Sequence, residues 1–387
     1  MDKIFNLAMG MGAVSNMAQP IYRPTWAEIN LSAIAHNVKE MKKQLSHKNE
    51  IMAVVKADGY GHGAVEVAKT AIDSGATFLA VALLEEAIHL RTEGINVPIL
   101  VLGWVSPEQA HIAVKYDITL TCFQQEWLMD VPKNLSSRLK VHMKWDTGMG
   151  RIGIRTKNEL KQMIQSLNYH THIQLTGVYT HFATADEADL TYFNEQYRRF
   201  QSLLHYFNDL WSQPVAFHIG NSAASMRFPE RMYQYVRFGV AMYGLYPSNV
   251  LKETSDMCLK QAFSLHSRLH HVKKISKGET VSYGRTYTAK DDEWIGTIPI
   301  GYGDGWRRKL QGIDVLIDGK RMPIVGRVCM DQTMIKLDKA YPIGTKVTLI
   351  GKQKEDMINV DEVANYIKTI NYEIPCMINE RVPRIYI

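Results

Sequence analysis

The sequence has few cysteines and no long apolar run, and each shortage excludes a class of protein. The four cysteines, Cys122, Cys258, Cys329 and Cys376, lie far apart and form no C-x-x-C pair, so neither a zinc site nor a disulfide framework is indicated. We therefore expect no bound metal, and reduced thiols as in a cytoplasmic protein. No segment approaches the about 18 consecutive apolar residues that a membrane helix needs, so no membrane association is predicted.

Charge of one sign is not concentrated anywhere either. The 45 Lys and Arg residues outnumber the 39 Asp and Glu residues, for a formal net charge of +6, but they are scattered without a basic block. No nucleic-acid partner is predicted, only a mild attraction for anionic ligands. Near the N-terminus, "IFNLAMGMGAVSNMA" is interrupted by Asn6, Gly10, Gly12 and Asn16, and "MDK" before it carries no net positive charge. We therefore predict no signal peptide.

What the chain does contain is enough apolar sequence for two domains. Its 387 residues are 46% hydrophobic and 22% charged, which is ordinary globular composition but too long for one core of average size. From residue 51, short β-branched runs alternate with stretches of helical period. Eight runs are predicted strands: "IMAVVK" (51–56), "TFLAVA" (77–82), "PILVLG" (98–103), "ITLTC" (118–122), "LKVHMKW" (139–145), "IQLTGVYTHF" (173–182), "VAFHIG" (215–220) and "YVRFG" (235–239).

Eight strand–helix units over roughly 200 residues favour a TIM-type (β/α)8 barrel, an α/β fold that we assign to residues 27–257. Gly94 is the predicted C-cap of the helix in "EEAIHLRTEG". Ser32 is the predicted N-cap of the helix that follows a strand in "TWAEINLSAIAHNVKEMKKQL". Residues 1–26 form an N-terminal extension and lead-in.

After residue 258 the pattern changes to alternation and hairpin signals, as in "WIGTIPIGYGDG" and "VLIDGKRMPIVGRV". Residues 258–387 are therefore predicted to form a C-terminal, mainly β domain. A short helix near "VDEVANYIKTI" and a final strand close it.

Polar groups follow several predicted barrel strands, and in a parallel barrel all strands end on the face that carries the active site. Lys56 closes the first strand; taken alone, it marks a strand reaching water. At a crowded barrel mouth, however, shielding lowers the pKa of a lysine and leaves a neutral amine that forms Schiff bases with aldehydes. That is the attachment chemistry of pyridoxal 5′-phosphate (PLP).

The last two loops offer partners for such a cofactor. Ser222 and Gly239 stand after the seventh and eighth strands, where barrels commonly bind phosphate, although a Ser in this context is also a usual helix cap. Arg237 would meet the pyridine nitrogen as an obligate donor and keep that nitrogen unprotonated. The ring is then a weaker electron sink, which suits the removal and return of one α-proton. A surface ion pair is the other interpretation of Arg237.

Nine motifs in order, from about Trp26 to the C-terminus, resemble those of bacterial alanine racemases. They are "AVVKADGYGHG", "DTGMGRIG", "THFATAD", "NSAA", "VRFGVAMYG", "VSYGRTY", "GYGDGW", "GRVCMDQ" and "PRIY". The resemblance implies a PLP barrel followed by a β domain. It also implies a head-to-tail homodimer in which each β domain covers the partner's barrel mouth.

The resemblance assigns roles to individual residues. Lys56 resembles the Schiff-base lysine and the base on one face of the substrate. Tyr283 resembles the opposite-face base, contributed by the other subunit; by its residue type alone it would be a cross-strand aromatic. His181 is similar to the residue that packs near the ring and links Tyr283 towards Arg237.

Further positions match the family's binding groups. Phosphate-binding positions match Tyr60, Ser222, Gly239, Val240 and Tyr372. The substrate carboxylate is implied to meet Arg151 and the backbone of Met330, with Asp331 beside them, and Tyr302 resembles an entrance gate. Lys144 matches a lysine that in many members is carbamylated, as N6-carboxylysine, and steadies Arg151. Two features depart from the family: roughly twenty extra N-terminal residues, given no catalytic role, and Trp145, where members more often carry a smaller aliphatic.

The implied activity is interconversion of L- and D-alanine through a PLP external aldimine by a two-base mechanism, supplying D-alanine for peptidoglycan. Tyr302 and Tyr372 crowd the space beyond Cβ, so alanine is favoured and a broader serine racemase is the nearest alternative. A barrel-type PLP decarboxylase would need a carboxylate in place of Arg237 and a catalytic cysteine in the β domain. A noncatalytic PLP-binding protein would lack the domain after residue 258.

Overall fold

The computed structural model describes residues 22–387. The stretch that underlies the signal-peptide prediction, and nearly all of the predicted extension 1–26, lie outside the described residues. Within residues 22–387 no helix is both long and apolar enough to cross a membrane.

Eight parallel strands form a nearly closed barrel, which confirms the predicted strand count and order. Strand β1 (Thr25–Ile29) precedes the barrel. The barrel strands are β2 (Glu50–Val54), β3 (Ala76–Val81), β4 (Ile99–Val101), β5 (Thr119–Cys122), β6 (Leu139–Lys144), β7 (Ile173–Tyr179), β8 (Ala216–His218) and β9 (Tyr235–Phe238). Their order is β8-β7-β6-β5-β4-β3-β2-β9. Just beyond the end of β8, the Arg237 amide of β9 donates to the Gly220 carbonyl at 3.0 Å, which brings the two edges together.

Most predicted runs extend further than the strands do. The sixth predicted run spans residues 173–182, whereas β7 ends at Tyr179, because the last residues of the run turn into a loop of the barrel mouth. Lys56 likewise lies beyond β2 and not inside it.

Ten helices surround the barrel in the described part of the chain. They are α1 (Leu31–Gln44), α2 (Lys56–Gly61), α3 (Ala64–Asp73), α4 (Leu84–Thr92), α5 (Ala110–Lys115), α6 (Gln125–Asp130), α7 (Lys157–Tyr169), α8 (Thr191–Leu210), α9 (Ser222–Arg227) and α10 (Asn249–Thr254). In α8, Phe193, Phe200 and Phe207 recur every seven residues and are all buried, as expected of the core-facing stripe of an amphipathic helix.

The predicted N-cap of α1 is wrong. Asn30, not Ser32, has the extended backbone of a cap, and its side chain accepts a hydrogen bond from the Ala33 amide at 2.8 Å. Ser32 instead donates to the Asn30 side chain at 2.7 Å. Both residue types favour caps, so the sequence alone did not separate them. At the end of α4, Gly94 has φ +83°, as its predicted capping position requires.

The C-terminal part is mainly β, as predicted. Its strands are β10 (Phe263–Arg268), β11 (His271–Ile275), β12 (Thr280–Val281), β13 (Tyr287–Thr288), β14 (Glu293–Ile298), β15 (Asp314–Ile317), β16 (Lys320–Pro323), β17 (Thr333–Leu337), β18 (Lys346–Gln353), β19 (Asp356–Ile358) and β20 (Arg384–Tyr386). The largest sheet runs β16-β15-β18-β10-β1-β20, with β19 on β18. Two helices complete this part, α11 (Val360–Ile367) where expected and α12 (Glu373–Met377), which was not predicted.

Strand β1 precedes the barrel in sequence but pairs with β10 and β20 of the C-terminal sheet. From β1 onward, the chain therefore passes from the second sheet into the barrel and then back to the second sheet. The proposed division at residues 26/27 and 257/258 remains a prediction, and it cuts through this first strand.

Candidate active site

The turn that carries Lys56 has an unusual backbone. Strand β2 ends at Val54 and Lys56 opens α2, inside which residues 57–60 are left-handed, with φ between +51° and +59°. This conformation costs about 1–2 kcal/mol for each residue other than glycine, and only position 59 is glycine. Such strain persists where surrounding groups hold the backbone, and it is common at functional sites.

Hydrogen bonds from two side chains of this segment, those of His62 and Asp58, stabilise the turn. Nδ1 of the buried His62 lies 3.0 Å from the Gly59 carbonyl oxygen and 2.9 Å from that of Tyr60; carbonyls only accept, so this nitrogen donates. Burial lowers the pKa of His62 to about 4, which keeps the ring neutral. Asp58 accepts from the Ala64 amide at 2.8 Å and so ties the turn to α3.

Lys56 is partly buried at the barrel mouth. Burial first, and then the positive charge of Arg151, lowers the pKa of its amine. Helix α12 packs against α2, so the C-terminal domain reaches the mouth of its own barrel. The approach is close, because a Cβ at Gly61 would lie 2.2 Å from the Pro375 carbonyl oxygen. Cys376 of α12 is a neighbour of Lys56, and burial raises the pKa of its thiol, which keeps it uncharged at neutral pH.

The five predicted phosphate-binding residues form a cradle next to Lys56. The Gly239 amide donates to the Ser222 hydroxyl at 3.0 Å. A Cβ at Gly239 would lie 3.0 Å from the Tyr60 hydroxyl, so glycine keeps this space open. Val240 is the first residue of a short 3-10 helix, where the backbone N–H has no acceptor within the helix. The Tyr372 ring lies 6.4 Å from the Tyr60 ring.

Arg237 is buried, with 3% of its surface exposed, so the surface ion-pair interpretation is wrong. Nη1 donates to the His218 carbonyl at 2.8 Å, and Nη2 donates to the Thr180 carbonyl at 2.7 Å. Within residues 22–387, no protein atom accepts a hydrogen bond from Nε. Burial lowers the pKa of Arg237 to about 10, so the guanidinium stays charged at neutral pH and has one donor left for a ligand.

Three histidines extend from this guanidinium. Nδ1 of His181 lies 3.1 Å from Nη2 of Arg237, and Nδ1 of His218 lies 3.0 Å from Nη1. An arginine only donates, so both ring nitrogens accept and both rings carry their proton on Nε2. From there His218 donates to Nδ1 of His142 at 2.9 Å. Burial lowers the pKa of all three rings, so the row is neutral.

Lys144 ends strand β6 with its amine buried. The residue is 2% exposed, and its Nζ has no hydrogen-bond partner among the described residues. Burial, followed by the charges of Arg237 and Arg151, lowers the pKa of this amine to about 7. Arg151 itself is exposed, and within residues 22–387 its guanidinium donates no hydrogen bond. An amine that loses its proton near neutral pH and an unpaired guanidinium thus occupy the same mouth.

Trp145, the departure beside Lys144, is accommodated by the core. It is fully buried, its ring lies 5.3 Å from that of Phe200, and its Nε1 donates to the Met143 sulfur at 3.3 Å. The larger ring therefore fills space between strand and helix and stays out of the mouth.

The remaining predicted residues lie in the C-terminal domain. Tyr302 and Met330 are joined through their loops, since the Gly303 amide donates to the Met330 carbonyl at 2.8 Å. Asp331 accepts from Arg381 at 2.7 Å. Tyr283 lies on a short 3-10 turn and is 68% exposed.

The structure thus brings one set of predicted residues together and leaves another apart. The barrel-mouth set is Lys56, Tyr60, Lys144, Arg151, His181, Ser222, Arg237, Gly239, Val240 and Tyr372. The second set, Tyr302, Met330, Asp331 and Tyr283, is exposed on the C-terminal domain, and in the described part of this chain none of its side chains contacts Lys56 through a hydrogen bond or ion pair.

Comparison with known proteins decides the family. Residues 29–247 match the family model for the N-terminal domain of alanine racemases, and residues 262–386 match the model for the C-terminal domain. The chain belongs to the alanine racemase family. The alanine racemase of Anoxybacillus flavithermus is 55% identical over 375 residues, covering 96% of this chain and 97% of that protein.

Solved structures agree with this assignment. The Bacillus anthracis alanine racemase with bound L-Ala-P superposes with a TM-score of 0.93 at 49% identity, covering 95% of this chain and 96% of that one. A histidine racemase from Leuconostoc mesenteroides has a TM-score of 0.89 at 34% identity, covering 96% of this chain and all of that one. As a member of the alanine racemase family the protein is an isomerase, and the match to the C-terminal domain sets aside the single-barrel PLP-binding alternative.

Two buried or partly buried carboxylates near the candidate site residues were not predicted from the sequence. Glu86, at the start of α4, accepts a hydrogen bond from the Ala57 amide at 2.6 Å. The sequence indicates that Glu86 lies in the first turn of a helix, but it does not indicate which group it bonds. Asp304, fully buried below Tyr302, accepts from Arg23 at 2.8 Å. The "GYGDG" motif contained this carboxylate, and the signal that it is buried came only from the fold.

Proposed function

We propose that the protein interconverts L- and D-alanine with PLP held on Lys56. Lys56 and Tyr283 of the partner subunit would act on opposite faces of the substrate. The single observation that carries this proposal is the convergence of a partly buried lysine, a buried arginine and a glycine-lined cradle at one barrel mouth. Membership of the alanine racemase family supports the same reaction.

The residues at the mouth fit PLP. The Ser222 hydroxyl, the amides of Gly239 and Val240, and the hydroxyls of Tyr60 and Tyr372 would hold its phosphate. When bound, PLP supplies an electron sink that makes the α-hydrogen of an attached amino acid acidic.

Arg237 sets the electronic character of the ring. Because the guanidinium keeps its proton and only donates, a nitrogen placed against Nε remains an unprotonated acceptor. The neutral His218 and the carbonyl oxygens around Arg237 fix the guanidinium in place. A decarboxylase would present a carboxylate at this position, whereas this chain presents the buried Arg237, which argues against the decarboxylase alternative.

Two bases on opposite faces are needed if the substrate does not turn over between proton removal and return. The lowered pKa of Lys56 supports a neutral amine for one face. The Tyr283 phenol oxygen makes no hydrogen bond to residues 22–387 and is mostly exposed, so it is available to a second chain. These features support a homodimer with shared active sites.

Arg151 would bind the substrate carboxylate, helped by the backbone of Met330 and with Asp331 close by. A carbamate on Lys144 would give Arg151 an anionic partner and fix its guanidinium. This modification needs a neutral amine, and the pKa of about 7 supplies one.

Tyr302 and Tyr372 would limit the space beyond the substrate's Cβ, which favours alanine over serine only modestly. The histidine racemase shares the fold, so the fold alone does not fix the substrate side chain. We further propose a cytoplasmic enzyme that supplies D-alanine for peptidoglycan, without membrane, metal or nucleic-acid partners.

The test is direct. The purified protein is expected to show the visible absorbance of lysine-bound PLP, lost in Lys56→Ala. It should convert L-alanine to D-alanine in deuterated water with deuterium at the α-carbon, and serine and histidine are compared at equal concentration. Absence of the absorbance, or faster turnover of serine or histidine than of alanine, would overturn the corresponding part of the proposal.

A further inference from the structure

A single carboxylate, that of Glu86, accepts hydrogen bonds from the ends of two neighbouring barrel strands. One oxygen accepts from the Ala57 amide at 2.6 Å, just after β2. The other accepts from the amides of Ala82 at 2.7 Å and Leu83 at 3.0 Å, just after β3. Glu86 therefore joins the turn that carries Lys56 to the adjacent strand end.

The bond to Ala57 lies where the backbone needs support. Ala57 is left-handed, with φ +52°, which is unfavourable for any residue with a Cβ. Because Ala57 directly follows Lys56, the hydrogen bond to its amide fixes the peptide plane that joins the two residues. His62 and Asp58 hold later parts of the turn, whereas Glu86 holds its first amide.

Glu86 also contributes charge. Arg151 and Arg237 lower the pKa of Lys56, and Glu86 acts in the opposite direction. The groups facing Lys56 are Tyr60 from α2, Glu86 from α4, Arg151 from the loop after β6, His181 from the loop after β7, Arg237 from β9 and Cys376 from α12. Glu86 is the carboxylate in this set.

We propose that Glu86 is a positioning residue for Lys56, holding the left-handed backbone at Ala57 and placing a negative charge in the surroundings of the lysine amine. The catalytic meaning of this assignment rests on Lys56 being the PLP-bearing lysine. The hydrogen bonds of Glu86 do not depend on PLP, so the test uses the full chain freed of PLP.

The first test is hydrogen–deuterium exchange over residues 55–61 in Glu86→Gln. The amide side chain cannot offer acceptor oxygens to both strand ends, so exchange at Ala57 should rise roughly tenfold, as for loss of a hydrogen bond to a charged group. Glu85→Gln is the matched control. Glu85 is the exposed neighbour in the same helical turn, and its replacement should leave exchange unchanged.

The second test is the pH dependence of Lys56 acetylation, followed by mass spectrometry of the Lys56 peptide. Removing the opposing negative charge should move the midpoint to lower pH in Glu86→Gln. A purely structural loosening would expose Lys56 and move the midpoint the other way, towards the ordinary lysine value. The sign of the shift therefore separates positioning with charge from simple loss of packing.

A third variant guards against misfolding. Ala57→Gly accepts the left-handed backbone without strain, so Glu86→Gln/Ala57→Gly should regain folding and PLP binding yet keep the lowered midpoint. Unchanged exchange and an unchanged or raised midpoint in Glu86→Gln would overturn the proposal. If the wild-type chain fails to bind PLP, the proposed function falls, but these measurements on Glu86 still decide its contacts and charge.

Discussion

Lys144→Met, compared with the wild type with and without CO2, tests whether the buried amine is carbamylated. The pKa of Lys144 falls from 10.5 to about 7 because burial and the charges of Arg237 and Arg151 disfavour the cation. This fall in pKa corresponds to roughly 5 kcal/mol in favour of the neutral amine. At pH 7 about half of the amines are then neutral, against about one in 3,000 for an unperturbed lysine.

A neutral amine attacks CO2: an N–C bond forms, one proton is released and the side chain becomes an anion. The carbamate would face Arg151, which has no acceptor within residues 22–387, so a neutral amine and an unpaired cation become one ion pair. Bicarbonate should therefore raise the thermal stability of the wild type and not that of Lys144→Met. In CO2-free buffer at pH 7 or below, Lys144→Met should be the more stable protein, since it removes an unpaired buried charge.

The pH dependence has a defined sign. The folded pKa of Lys144 lies below the unfolded value, so the unfolded chain binds more protons between about pH 7 and pH 10.5. Without CO2, the free energy of unfolding should rise across this window in the wild type, and this contribution should be missing in Lys144→Met.

The assay is carbon-13 NMR of protein equilibrated with labelled bicarbonate, together with thermal unfolding. Lys140→Met is the matched control, because Lys140 lies in the same strand but is paired with Asp117 at 2.6 Å at the surface. It should keep the carbamate signal that Lys144→Met loses. A signal that survives in Lys144→Met, or an identical response of both proteins to bicarbonate, would refute the reasoning.

Three further predictions each concern the replacement of one residue. Tyr283→Phe should leave PLP absorbance intact while blocking α-proton exchange from one enantiomer far more than from the other; equal, mild losses would contradict the two-base assignment. Gly239→Ala places a Cβ 3.0 Å from the Tyr60 hydroxyl. PLP affinity, measured by absorbance titration, should therefore fall about tenfold or more through loss of one cradle contact. The unfolding temperature of the PLP-free protein should stay nearly unchanged. A hydrogen bond from His266 lowers the pKa of Glu28 from 4.5 to about 2, so its stabilising contribution is present above pH 4.5 and lost as the pH falls towards 2; Glu28→Gln should flatten acid unfolding in this window, and an unchanged acid limb would disprove the linkage.

The barrel was predictable because its signals are local. Each strand is a short β-branched run followed by a helical period, and eight such units match one familiar architecture. The membership of β1 was not predictable in this way, since pairing of Thr25–Ile29 with Phe263–Arg268 joins segments more than 200 residues apart. Periodicity describes a strand but does not choose its partner.

The residues of the candidate site likewise fall into those that local sequence signals indicate and those that depend on the fold. Lys56 and Arg237 were found because a charge at the end of a predicted strand, or within its last residues, is visible in the sequence, and motif resemblance supplied the rest. The hydrogen bond from Ala57 to Glu86 was invisible, because it depends on a left-handed backbone that no residue type in "KADGY" demands apart from one glycine. The pKa of Lys144 likewise depends on burial, which strand periodicity does not give at a barrel mouth.

The charges of the mouth explain why it should bind anions. Lys56, Lys144 and Arg237 all have lowered pKa values, and the positive charge of Arg151 contributes to each. Separate anions, the phosphate of PLP, a carbamate and a substrate carboxylate, would each relieve part of this mutual repulsion. A ligand that binds the folded chain but not the unfolded chain raises the free energy of unfolding by about 2.7 kcal/mol when its concentration is a hundred times the dissociation constant.

Inorganic phosphate should therefore raise the unfolding temperature of the PLP-free protein, and PLP should raise it further because it engages Lys56 as well as the cradle. Arg151→Gln should keep the phosphate response, since Arg151 lies outside the Ser222–Gly239 cradle, whereas Gly239→Ala should lose most of it. Chloride at high concentration should weaken the response by screening. If phosphate and chloride stabilise the protein equally at matched ionic strength, the cradle does not select phosphate, and the charge of the mouth acts only as a diffuse attraction.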